Sequence, residues 1–148
     1  MDKKVYDVII IGAGPAGLAA GSYAGRARLS TLIIEKQKDG GQIVITAEIE
    51  NYPGGIEGET GPSLVGRMAK QAEHFGAEKV YDTIEEVELE GEIKHLKGKK
   101  GDYYSKTVII ATGASAHRLP ARRSSPARAY PIAPPATARS SRIWTSMW

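Results

Sequence analysis

The residues best suited to chemistry stand at positions 12–17, "GAGPAG", where Gly12, Gly14 and Gly17 hold the spacing GxGxxG. They follow a β-rich apolar run, Val5 to Ile11, and open a stretch of small residues, Ala16 to Ala27. In that context the spacing serves a pyrophosphate. Gly12 permits a tight turn, Gly14 lets bare backbone approach the phosphates, and Gly17 lets helix and strand pack closely. Pro15 and Ala16 then stand at a helix N-terminus, whose free N–H groups and partial positive charge favour an anion. The next apolar run, "TLIIE", ends in Glu35, followed by Lys36. A carboxylate there accepts hydrogen bonds from a ribose diol and repels a 2′-phosphate, which disfavours NADP at this site.

Three further groups are candidates. Gly40 and Gly41 can bring bare backbone against a flat ligand. Gln42 and Asn51 carry amides suited to the polar edge of a flavin. The residues alone leave two readings here, flavin contact or ordinary loop chemistry. "TVIIATGAS", 107–115, ends a buried strand in Ala111, Thr112 and Gly113. That is either a strand-end turn or a second close backbone approach to the same ligand.

The elements that position these residues follow from pattern. Val5–Ile11 and Thr31–Glu35 read as strands buried in a parallel sheet, with a helix between them. Strand, helix and strand within about 30 residues make a βαβ unit with a right-handed crossover. Residues 37–62, rich in Gly, Asn and Pro, read as a long loop region. Pro62 opens a helix running to about Phe75, with Leu64, Met68, Ala72 and Phe75 on one face and Gly76 as its C′ residue. Residues 77–113 read as a β-meander whose final buried strand is Thr107 to Ala111. The fold class is therefore α/β, a Rossmann-like parallel sheet with a βαβ unit plus a meander.

Composition narrows the function. The chain has 148 residues and a net charge of +3, with a pI near 9.1, but the charge is unevenly placed. Residues 1–116 carry 14 Lys+Arg against 17 Asp+Glu, whereas 117–148 carry six Arg and no acid. The basic pI belongs to that tail and not to the body. No cysteine is present, so disulfides, thiolate metal sites and dithiol chemistry are excluded for this chain. His74, His95 and His117 form no cluster with acids at metal spacing. No apolar run reaches the length of a membrane span and no signal-peptide core opens the chain. The expectation is a cytoplasmic protein with no membrane association and no metal.

"VIIIGAGPAGLAAGSYAGRA", "IIEK", "GGQI", "ENYPGG" and "VIIATGAS", in this order and spacing, resemble the N-terminal FAD half of bacterial low-molecular-weight thioredoxin reductase. The resemblance covers Val5 to about Ser115. The alkyl hydroperoxide reductase flavoprotein and related ferredoxin reductases share much of the pattern, and "ENYPG" leans toward thioredoxin reductase. The resemblance implies FAD as cofactor, its pyrophosphate on Gly12 to Gly17 and its adenosine ribose on Glu35. Gly41, Gln42 and Asn51 would lie by the flavin, and Thr112-Gly113 would close over it. In the intact family, a homodimer, hydride passes from NADPH to FAD, then to a cysteine pair, then to thioredoxin. The NADPH domain with its Cys-Ala-Thr-Cys pair and the returning Gly-Asp segment are missing here. No catalytic residue is expected in this chain, which would be a partial FAD-binding domain, 1–116, inactive by itself.

The tail from 117 to 148 has a different origin. The family pattern continues after "ATGAS" with something like Gly-Val-Ser-Tyr-Cys-Ala-Thr-Cys-Asp-Gly. Joining the last base of each codon to the first two of the next, from Arg128 onward, permits that series throughout. Trp144, with one codon, forces Asp from its junction with Thr145. The inference is a reading frame shifted by one lost base between about Ser115 and Pro120, leaving an out-of-frame Arg/Pro/Ala-rich tail expected to be disordered. Arg118, Arg122, Arg123 and Arg128, with Trp144, resemble a nucleic-acid patch only in composition, so no specific nucleic acid is expected as a partner.

Overall fold

A computed structural model describes residues 3–114. The shifted frame and the disordered tail expected of 115–148 lie outside the described residues. Strand β1 is Val5–Ile11, helix α1 Pro15–Arg26 and strand β2 Thr31–Glu35. A 3-10 helix, Gly41–Ile45, precedes helix α2, Gly61–His74. Strands β3, Glu78–Tyr81, β4, Ile84–Glu88, β5, Lys94–Gly98, and β6, Asp102–Ile110, complete the chain.

These strands form one six-stranded sheet in the order β3-β2-β1-β6-β5-β4. β1 is central and parallel to both β2 and β6, and β2 is parallel to β3. β5 runs antiparallel to both of its neighbours, β6 and β4. β6 therefore belongs to two layers of pairing. Its first residues, 102–105, pair with β5, while Tyr104 to Ile110 pair with β1.

The apolar runs of β1 and β2 are explained by burial on both faces. Val8, Ile10 and Ile33 pack under the helices with Leu18, Val65 and Ala72. Ile9, Leu32 and Ile34 face the other way, against Leu96 and the partly buried Tyr103 and Val108. Ile9 and Ile10 are fully buried, and each such side chain stabilises the fold by about 1.5–3 kcal/mol. The small residues of α1 let it lie flush. A Cβ on Gly21 would stand 2.6 Å from Ile33 Cδ1, and one on Gly25 would stand 2.6 Å from the Phe75 carbonyl.

α2 starts at a capping box. Thr60 Oγ1 accepts from the Ser63 N–H at 3.2 Å and Ser63 Oγ accepts from the Thr60 N–H at 3.1 Å, satisfying two orphan amides. It ends as expected, with Gly76 at φ +91° and the Ala77 N–H returning to the Ala72 carbonyl at 3.1 Å.

Two features depart from expectation. Residues 37–62 are not loop throughout, since Gly41–Ile45 wind into a 3-10 helix too short to leave a period in the sequence. The meander is also shorter than 77–113. Glu78–Tyr81 pairs in parallel with β2, Glu35 opposite Tyr81, and only β4 to β6 form the meander. β6 itself is longer than the run 107–111, and that run is not buried as expected, since Ile109 and Ile110 are 36% and 63% exposed.

Candidate functional site

A cleft of about 840 Å³ opens at the C-terminal ends of β1, β2, β3 and β6. That edge of a parallel sheet is where α/β folds place their ligands. The glycine turn forms its floor. The Gly12 N–H donates to the Ile34 carbonyl at 2.8 Å, and Gly12 stands at φ +109°, where a Cβ would lie 2.4 Å from the Ala111 carbonyl oxygen. A Cβ on Gly17 would lie 1.9 Å from the Gly12 carbonyl oxygen. Both glycines are thus required by the protein's own packing.

Gly14 is different. It is the N-cap of α1 at φ −75°, ψ 178°, a conformation open to any residue. A Cβ there would meet no protein atom nearer than the Gly40 carbonyl oxygen at 4.0 Å. Neither dihedral nor packing demands a glycine, and the missing side chain leaves backbone bare on the cleft wall. The α1 N-terminus above it has no side-chain cap and no acid in its first turn, so no side chain of the helix itself offsets its partial positive charge. Pro15 at N1 removes an N–H that the helix does not use.

Glu35 is held tightly. Its Oε2 accepts from the Ala13 N–H at 2.7 Å, and its Oε1 accepts from the Lys36 and Gln37 N–H groups at 2.7 and 3.3 Å. A carboxylate offers about four lone-pair sites, so capacity remains for a further donor. The carboxylate thereby locks the glycine turn to the end of β2.

The Gly40–Gly41 loop covers the turn from above. The Gly40 N–H donates to the Ala13 carbonyl at 2.8 Å. The loop is anchored by Asp39, which accepts from Lys79 Nζ at 2.6 Å and from the Tyr81 hydroxyl at 3.2 Å. Lys79 also pairs with Glu73 of α2 at 2.9 Å. Burial alone would lower the Lys79 ammonium, but the hydrogen bonds to Asp39 and Glu73 outweigh it and hold it well above the ordinary lysine range. Gln42 Nε2 donates to the Ala114 carbonyl at 2.5 Å, tying the 3-10 helix to the residues after β6.

Of the residues singled out from sequence, Gly12, Gly14, Pro15, Ala16, Glu35 and Lys36 line the cleft, as do Gly41, Gln42, Ala111, Thr112 and Gly113. Gly17 lies behind the turn as a packing position. Asn51 is exposed in the loop between the 3-10 helix and α2 and does not line the cleft. Sequence reasoning missed the wall formed by Asp82, Thr83 and Ile84. It counted them as meander, and only recognising β3 as a parallel neighbour of β2 would have brought them to the cleft. Among the described residues no group of three or more His, Asp or Glu is arranged to hold a metal, and no helix is long and apolar enough to cross a membrane.

A glycine turn at a helix N-terminus, an acid at the end of the second strand and a cleft across the strand ends are the marks of a Rossmann-like α/β fold. The family model described as pyridine nucleotide-disulphide oxidoreductase matches residues 6–132, and the chain belongs to that family. Among curated relatives, the thioredoxin reductase of Peptoclostridium acidaminophilum is 58% identical over 113 residues, covering 76% of this chain and 36% of the relative. That of Bacillus subtilis is 48% identical over 118 residues, covering 80% and 37%. The solved thioredoxin reductase of Streptococcus pyogenes superposes with a TM-score of 0.74 at 42% identity, covering 80% of this chain and 38% of that one. The chain thus spans little more than a third of the length of the relatives it matches.

Proposed function

We propose that this chain is the FAD-binding part of a thioredoxin reductase. The observation that carries the reading is Gly14, a glycine that only an external ligand requires, on a cleft of about 840 Å³. The described residues fit such a group. The bare Gly14 backbone and the uncapped α1 N-terminus receive a pyrophosphate, and Glu35 offers its remaining lone pair to the adenosine ribose. Gly41, Gln42 and Ala111 to Gly113 form the opposite end, suited to a flat ring system. Bound there, FAD supplies hydride acceptance and onward electron transfer. The chain's own share is to bind and orient it. Asn51, exposed and outside the cleft lining, is assigned to the flavin end by the chemistry of its amide and by family resemblance.

The partner of the whole protein would be thioredoxin and its reductant NADPH, acting in the cytoplasm in a homodimer. The 148 residues alone supply no thiol and would reduce no thioredoxin. We assign 1–116 to the FAD-binding domain and 117–148 to a shifted frame. Coding DNA across codons 112–148 tests that assignment. A neighbouring frame spelling Ser-Tyr-Cys-Ala-Thr-Cys-Asp-Gly supports it, and a closed frame removes it.

The cofactor reading is tested by mixing the purified chain with FAD and passing it through gel filtration. Flavin absorbance that travels with folded protein, and flavin fluorescence that changes on binding, are the expected results. A folded chain that takes up NAD but no flavin would refute the reading in favour of another dinucleotide module.

A further inference from the structure

The junction between β3 and β4 is held by one buried carboxylate. Asp82 is 3% exposed. Its Oδ1 accepts from the Thr83 N–H at 2.7 Å and the Lys100 N–H at 3.2 Å. Its Oδ2 accepts from the same Lys100 N–H at 3.1 Å and from the Tyr103 hydroxyl at 2.9 Å. The Asp82 N–H donates to the Glu35 carbonyl at 2.9 Å, and the Lys99 N–H donates to the Thr83 carbonyl at 3.1 Å. Gly98 makes room for this arrangement, since a Cβ there would lie 2.2 Å from Asp82 Oδ2. Ladder pairing alone does not fix the segment, because the β4–β5 register shifts between Ile84 and Glu86.

The place of this carboxylate gives it a role. The Asp82 N–H bond to the Glu35 carbonyl sets residues 82–84 beside Glu35 and Lys36 on the cleft lining, and the neighbouring strand ends then bring the glycine turn and Ala111 to Ala114. With a pyrophosphate at the turn, the nucleoside next to Glu35 must lie against Thr83 and Ile84. We infer that Asp82 is a positioning residue for the adenosine end of the cleft, its carboxylate clasping the β3–β4 junction to the β5–β6 turn so that Thr83 and Ile84 form a fixed wall. The inference rests on the cofactor reading for the identity of the ligand, though not for the existence of the clasp.

The test uses the full chain with Asp82→Ala and Asp82→Asn. FAD, ADP and FMN are titrated, and backbone amide exchange is followed in the absence of ligand. Asp82→Ala should weaken FAD and ADP about tenfold, the scale of one polar group left unpaired. FMN, which lacks adenosine, should be unaffected. Asp82→Asn keeps one oxygen for the Thr83 and Lys100 amides and should restore most of the affinity. In Asp82→Ala the Thr83 and Lys100 amides should lose protection while those of β1 and β2 keep theirs. FAD and FMN weakening together would mean a general loss of fold and would overturn the inference. So would unchanged FAD affinity in Asp82→Ala. A wild-type chain that takes up neither FAD nor ADP sinks the cofactor reading, and amide protection that survives in Asp82→Ala sinks the clasp.

Discussion

Replacing Gly14 by alanine should separate ligand binding from folding. The added methyl meets nothing in the protein closer than 4.0 Å, and the backbone at φ −75° accepts it without strain. Two small effects then oppose each other. Reduced freedom of the unfolded chain stabilises by about 0.4–1 kcal/mol, and loss of a glycine N-cap costs a similar amount. Stability should change by less than about 1 kcal/mol, or roughly 4 °C in Tm for a domain of this size. On the proposed function, the same methyl would occupy the space where a pyrophosphate approaches. Overpacking of a close contact costs about 1–3 kcal/mol, which is a five- to 150-fold loss of FAD affinity. Gly12→Ala is the control. Its Cβ would stand 2.4 Å from the Ala111 carbonyl at φ +109°, so it should lower the urea midpoint sharply. Urea unfolding and flavin fluorescence titration, run on both variants, decide the matter. Gly14→Ala with undiminished FAD affinity, or with a stability loss as large as that of Gly12→Ala, refutes the argument.

Lys79→Met should destabilise by about 1–3 kcal/mol by leaving the Asp39 carboxylate without its main partner, and should loosen the Gly40–Gly41 loop, read as faster amide exchange at Gly40. The raised Lys79 ammonium implies that its contribution is full below the ordinary lysine value and fades as pH climbs through the folded value; a chain whose stability is flat across strongly alkaline pH contradicts this. Asp82 titrates on the acid side. Burial would raise it, but the Tyr103 hydroxyl and the Lys100 and Thr83 amides together hold it below the ordinary carboxylate value. Its contribution is therefore present above that ordinary value and lost as pH falls through the folded one, so Asp82→Asn should show a shallower acid unfolding profile than the wild type.

The legible parts of the fold were the local ones. β1, the glycine turn, α1 and β2 lie within 31 consecutive positions, and their apolar runs and small residues each have one physical reading. α2 was legible through Pro62, its apolar face and Gly76. β3 was not, because "EKVY" is a four-residue edge strand with no apolar period whose partner, β2, pairs with it from 46 positions earlier, Leu32 with Glu78. The Asp39–Lys79 anchor and the Asp82 clasp escaped for the same reason. Each joins polar residues distant in sequence, and a buried ion pair leaves no periodic trace. At the cleft, spacing identified the floor, while the Asp82–Ile84 wall depended on topology. Asn51 entered through the chemistry of its amide and then through resemblance, and its exposed position gives no independent support for a ligand contact.

The sheet order also governs how the chain must be born. β1 is the central strand, yet its neighbour β6 begins its pairing, Val5 with Tyr104, 99 positions later in the sequence. At a synthesis rate of about 5–20 residues per second, β1 waits roughly 5–20 s for that partner. During this interval β1 can pair with β2 but presents its other edge to the surroundings, a template for strangers. Closing so long a loop is also entropically late relative to the βαβ unit. A nascent chain halted before residue 110 should therefore engage chaperones or precipitate, whereas one that reaches it can close the sheet around its first strand.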